Sequence, residues 1–169
     1  MSISADMRSY GQPSARFVFS RPAHFIAFGF GIGLIPFAPG TFGTLLAFPL
    51  HAWLLPRLGE PLYAALLPLL FLAGVWACHA SGRRLGVHDH GGMVWDETVA
   101  FMIVLFFTPA SLLWQAFAFL LFRVFDIVKP MPIRHFDRSI RNGFGVMFDD
   151  LLAAFYTLLC LAGWKVAYG

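Results

Sequence analysis

TVAFMIVLFFTPASLLWQAFAFLLF, residues 98–122, carries no charged side chain and has a proline near its centre. Its length allows one membrane span of about 20 residues. Its middle, Thr108-Pro109-Ala110-Ser111, reads as a turn. A single span would put Asp96 and Glu97 across a bilayer from Asp126 and Lys129, whereas a hairpin returns all four to one side. Each half, 98–108 and 112–122, is about 16 Å long as a helix, too short for about 30 Å of hydrocarbon. The stretch therefore predicts two short helices in a shallow re-entrant hairpin or packed inside the domain. Broken backbone at membrane depth is tolerated only where it is buried in protein or faces water.

Upstream, no Asp, Glu, Lys or Arg occurs between Arg21 and Arg57. Glycines and prolines interrupt this run, so one continuous helix is excluded. The pattern predicts an interfacial helix near 22–34, a Gly/Pro loop at 35–41 and an apolar helix at 42–56. Pro56-Arg57-Leu58-Gly59-Glu60-Pro61 is a turn cluster, followed by a second apolar helix at 61–82. The two helices make an antiparallel hairpin that crosses or nearly crosses the membrane, closed by Arg83 and Arg84. Residues 123–150 gather most of the remaining charge. The last apolar run, 151–164, is short for a span and reads as a helix packed on the others. Residues 1–21 are polar, lack the pattern of a secretory signal, and read as a cytoplasmic arm. Residues 22–169 read as one all-α, compact multi-helix membrane domain with a polar site at its cytoplasmic face.

Composition supports a lipid-facing exterior. Hydrophobic residues make up 59% of the chain and charged residues 12%, about half the charged share of a soluble domain, and the mean hydropathy is +0.71. Such a chain cannot cover itself with charge. Its net charge of +3 sits at the ends of apolar stretches, as the positive-inside rule expects. No basic run interleaved with stacking aromatics points to nucleic acid. Cys78 and Cys160 lie in apolar stretches without metal-binding spacing and read as packing residues.

Nine carboxylates occur in the chain. Asp6, Glu60 and Asp89 read as peripheral. Asp96, Glu97, Asp126, Asp137, Asp149 and Asp150 stand at the ends of apolar segments, where a charge is costly unless paired, wet or metal-bound. One adjacent acidic pair is read equally well as a helix N-terminal cap. Two pairs, Asp96-Glu97 and Asp149-Asp150, with Asp126 between them, weigh towards a hard cation such as magnesium, which takes oxygen ligands. Arg123, Asp126 and Lys129 are three apart and share a helix face, either as an ion-pair ladder or, beside a metal, as holders of phosphate oxygens. The loop at 36–44, PFAPGTFGT, leads into a helix and offers Gly40, Thr41 and Thr44 as an anion cradle. The same glycines also suit tight helix packing. His88 and His90 lack further ligands at zinc spacing.

Together these residues resemble the phosphatidylglycerophosphatase A family. The likeness is carried by GIGLIPFAPGTFGT (31–44), GVHDHGGMVWDE (86–97), FRVFDIVKPMPI (122–133) and GFGVMFDD (143–150), and it covers about residues 20 to 165. Met131 stands where the family often has Trp, and Asn142 where it often has Gly. The resemblance implies an all-α fold, magnesium dependence, a phospholipid substrate (phosphatidylglycerol phosphate) and a bacterial inner-membrane site facing the cytoplasm. Within that frame, Asp96, Glu97, Asp126 and Asp149 are expected to hold Mg2+ and Asp150 to act as base. Lys129 and Arg123, with Gly40, Thr41 and Thr44, are expected to neutralise the phosphate. The alternative is a non-enzymatic membrane ion transport protein, since intramembrane acids and broken helices occur there too.

Overall fold

The computed structural model describes residues 13–168. Among them are seven α-helices and one 3-10 segment, with no strand: α1 (Ala15–Val18), α2 (Pro22–Ala27), the 3-10 segment Gly29–Leu34, α3 (Pro39–Leu85), α4 (Trp95–Phe107), α5 (Leu112–Val128), α6 (Ile133–Ser139) and α7 (Gly143–Tyr168). Residues 1–12 of the polar arm lie outside the described residues. The end of that arm packs on the body, where Val18 is buried and the Phe17 ring stacks on His24 with centroids 4.2 Å apart.

α3 is helical over 47 residues except at Gly59, whose φ of 74° and ψ of 162° leave helical space. Only glycine enters such a conformation without steric cost, and the chain reverses there. His51 Nδ1 and the Tyr63 hydroxyl are 2.8 Å apart, although twelve residues of straight helix would separate them by about 18 Å. The arms, 39–58 and 60–85, are about 30 Å and 39 Å long. This is the expected hairpin, with its first arm starting three residues earlier, at Pro39, and its second ending on Gly86 in the left-handed region.

The stretch at 98–122 also folds back. Phe101 of α4 meets Phe119 and Phe122 of α5 with ring centroids 5.8 Å and 5.4 Å apart, and the turn at 108–111 holds Pro109. Phe48 of α3 joins this group, 5.3 Å from Phe101. The helix expected at 22–34 is broken. Gly29, Phe30 and Gly31 all have positive φ, so α2 gives way to a 3-10 turn that lies against residues 90–94.

One expectation is corrected. The last helix begins at Gly143, not near 151, because Asn142 Oδ1 accepts the N–H groups of Phe144 and Gly145 at 3.0 Å and 3.1 Å and so caps it. At 26 residues α7 is about 39 Å long, enough to span. In the most apolar windows of α3 and α7, only 28% and 50% of residues are buried in the protein, so much of their apolar surface faces outward. Trp53, Leu62, Leu69, Leu72 and Trp76 are exposed on α3. Exposure on this scale, on helices of this length, is that of a membrane protein.

The backbones approach most closely where the 3-10 segment meets the loop before α4. A Cβ on Gly33 would lie 1.8 Å from the Gly92 carbonyl oxygen, and neither backbone can yield cheaply. Gly33→Ala should lower stability by about 1–3 kcal/mol. Gly91→Ala, two residues from Met93 in the same loop and with nothing within 4 Å of its Cβ position, should stay within about 0.5 kcal/mol. Thermal unfolding of the two variants in one detergent checks the contrast.

Candidate active site

The start of α4, the end of α5 and the start of α7 converge on the start of α3. Asp96 and Glu97 occupy the first turn of α4, whose N-cap residue Val94 makes no side-chain capping bond. Asp149 and Asp150 lie in the second turn of α7, beyond the cap that Asn142 supplies. A helix-terminus role therefore accounts for Asp96 and Glu97 at most, and not for Asp149 and Asp150.

Asp96, Glu97 and Asp150 each offer a carboxylate oxygen, and these oxygens lie within 4.8 Å of one another. Asp96 and Asp150 are buried. Four acid oxygens here (Asp96 Oδ1, Glu97 Oε2, Asp149 Oδ1 and Asp150 Oδ2) are buried with no hydrogen-bond partner. Buried polar atoms are nearly always paired, and clustered carboxylates repel. An oxygen-only set of this kind fits a hard divalent cation.

Asp126 and Asp149, also expected among the ligands, each face a cation of the protein. Arg123 Nη1 donates to Asp126 Oδ2 at 2.5 Å and to the Thr44 hydroxyl at 3.2 Å, and lies 3.8 Å from Glu97. Lys129 donates to Asp137 at 2.8 Å and also to Asp149. Burial opposes the Lys129 charge, but the Asp149 and Asp137 carboxylates outweigh it and hold its pKa above the ordinary range. An ammonium has three protons to donate, so one remains. Asp126 stays within electrostatic reach of Glu97 and Asp150.

The start of α3 completes the site. Gly40 leaves no room for a side chain, since a Cβ there would stand 2.1 Å from Glu97 Oε1 and 3.3 Å from Arg123 Nη2. Thr44 donates to the Gly40 carbonyl at 2.9 Å while accepting from Arg123, so it positions the guanidinium. The Thr41 backbone N–H closes a turn on Ala38 at 3.0 Å, and no side-chain hydrogen bond ties Thr41 to the acids. Ala38 and Lys129 both have φ of 45°, left-handed conformations that cost a non-glycine residue about 1–2 kcal/mol and that cluster at functional sites.

Asp89, read as peripheral, is exposed at the surface, and its charge is felt at Asp96 and Asp149. His90 beside it is a turn-forming residue, with Nδ1 accepting the Gly92 N–H at 3.0 Å and burial lowering its pKa against the opposing Asp89 charge.

Carboxylates arranged for a cation, next to side chains arranged for an anion, are the equipment of phosphate-ester chemistry. Placed at the ends of apolar helices, they define a membrane phosphatase. Residues 25–165 match the family model described as Phosphatidylglycerophosphatase A, and the chain belongs to that family. A Haemophilus influenzae protein of that name is 50% identical over 140 residues, which cover 82% of this chain and 85% of the relative. Its Escherichia coli namesake is 43% identical over 140 residues, covering 82% and 81%. No solved structure matches the chain at a significant level. Family membership sets aside the ion-transport reading, since the family acts on phosphate monoesters.

Gly40→Ala should displace the Glu97 carboxylate, which is the end of a flexible side chain, and leave the backbone in place. Activity should fall at least about tenfold, because misplacement by about 1 Å is costly in catalysis, while the unfolding temperature shifts by no more than a few degrees. Full turnover in the variant would show that Glu97 has no fixed place in the reaction.

Proposed function

We propose that the protein hydrolyses the terminal phosphate monoester of phosphatidylglycerol phosphate, releasing phosphatidylglycerol and inorganic phosphate. The reaction depends on magnesium and runs at the cytoplasmic face of a bacterial inner membrane. The observation that carries this reading is the trio of buried Asp96 and Asp150 with half-buried Glu97, with acid oxygens that have no partner, Arg123 lying beside Glu97 and Lys129 on neighbouring Asp149.

In this reading Asp96, Glu97 and Asp150 hold the magnesium ion. When bound, it would supply Lewis-acid stabilisation of phosphoryl charge and a more acidic water. Arg123, fixed by Asp126 and Thr44, and Lys129, fixed by Asp137 and Asp149, take the phosphate oxygens. Asp150 is thereby assigned to the cation, and Asp149, whose Oδ1 has no partner, is left to accept the proton of the attacking water. The start of α3, with no side chain at Gly40, lets the phosphate approach the acids. Acyl chains stay beside the apolar outer faces of α3 and α5, so only the head group enters.

Release of inorganic phosphate from phosphatidylglycerol phosphate should require magnesium. Asp96→Asn, Glu97→Gln and Asp150→Asn should each lose at least about a hundredfold in turnover, in line with other electrostatic groups in catalysis, with folding retained. Near-normal turnover in two of the three, or full activity after chelation, would remove the cation from the mechanism.

In this reading the loop before α4 and the segment around α6 both lie on the cytoplasmic side. Single cysteines at Gly91 and Arg138, in a background lacking Cys78 and Cys160, should both react with an impermeant thiol reagent in inverted membrane vesicles. Neither should react in intact cells. Opposite behaviour at the two positions would show that the loops lie on different sides.

A further inference from the structure

A second polar feature lies at the same end of the molecule. A cavity of about 220 Å³ opens between the end of α3, the loop after it and the start of α7, and its lining includes His79, Arg83, His88, Arg141, Asn142 and Gly143. No carboxylate lines it. Among the described residues, neither Arg83 nor Arg141 forms an ion pair. Arg141 makes one hydrogen bond, from Nε to the Arg138 carbonyl at 3.4 Å. Asn142 and Gly143, at the capped start of the 26-residue α7, complete the lining. Two arginines thus line one cavity with no carboxylate to balance them. Guanidinium groups in such a setting suit phosphate.

The cavity borders the reaction site without belonging to it. His79 follows Cys78, whose thiol lies in electrostatic reach of Asp96, Glu97 and Asp150. His88 precedes Asp89, which reaches Asp96 and Asp149. Gly143 begins the helix that carries Asp149 six residues on, about 9 Å along its axis. A phosphate in this cavity would find cations and no acid cluster, so it would be held without being hydrolysed.

We propose that this cavity binds the phosphodiester of an anionic glycerophospholipid head group, a second phosphate subsite distinct from the reaction site. The proposal rests on the lipid-phosphatase reading. Two sources share this chemistry. One is the inner phosphodiester of the substrate itself, joined to the reacting phosphate through a three-carbon glycerol that spans about 7 Å when extended. The other is the head group of a neighbouring anionic lipid.

The test is a double variant, Arg83→Gln with Arg141→Gln. Both side chains are exposed and free of ion pairs, so the unfolding temperature should match the parent protein. The first measurement is retention of phosphatidylglycerol, which has a phosphodiester and no monoester, by the purified protein in neutral detergent, with diacylglycerol, which has no phosphate, as control. Affinity for phosphatidylglycerol should fall at least fivefold and that for diacylglycerol should not change. Equal phosphatidylglycerol binding in parent and variant overturns the proposal. The second measurement is the ratio of kcat/KM on phosphatidylglycerol phosphate to kcat/KM on glycerol 3-phosphate, which has a single phosphate. A tenfold fall in that ratio assigns the subsite to the substrate's own phosphodiester. An unchanged ratio with weakened phosphatidylglycerol binding assigns it to a separate lipid. Absence of hydrolysis in the parent protein would defeat the lipid-phosphatase reading and leave the binding measurement to decide the cavity.

Discussion

Mutual repulsion among the Asp96, Glu97 and Asp150 carboxylates is the constraint around which this protein is built. Their oxygens are held within 4.8 Å of one another in a place from which water is largely excluded. Carboxylates so placed raise each other's energy and give nothing back unless positive charge is near. The fold brings that charge from two directions. Arg123 comes from α5 and is held by Asp126 and Thr44. Lys129 comes from the end of the same helix and bridges to Asp137 and Asp149. Each cation is thus shared between positioning acids and the site itself, so none of these residues has a role separable from its neighbours.

Glycine makes the convergence sterically possible. At Gly40 the first turn of α3 comes against Glu97, and at Gly33 one backbone meets another at Gly92. Both contacts would be lost with a single added carbon. Helices in lipid lack a hydrophobic drive to associate and gain from close backbone packing instead. The same small residues that hold this bundle together therefore also bring the start of α3 to the acids.

Much of this was legible in the sequence. The hairpin at 108–111 follows from a length argument, because neither half of 98–122 reaches across a bilayer. The reversal at 56–61 follows from its glycine and prolines. The set of acids and the two cations follow from their scarcity in so apolar a chain. The division of labour among the acids does not follow. Asp149 and Asp150 are adjacent, and adjacent helix residues point about 100° apart, so the rotation of α7 decides which one faces Asp96 and which faces Lys129. That rotation is set by packing against α3 and α4, information that no local pattern contains. The start of α7 was missed for a related reason. Asn142 reads as a loop residue until its side chain is seen to cap two N–H groups.

The left-handed backbone at Ala38 and Lys129 carries a consequence for protein engineering. At both positions glycine would relieve local strain, and dihedral angles alone would nominate both for stabilisation. At Ala38 that choice removes nothing but a methyl group. At Lys129 the side chain that accompanies the strained backbone is the one that ties α6 to α7 and faces the acids. Two positions with the same dihedral signature would thus behave oppositely in a directed-evolution campaign, the first a gain and the second a loss, because removing the Lys129 side chain leaves the buried Asp149 carboxylate without its cation.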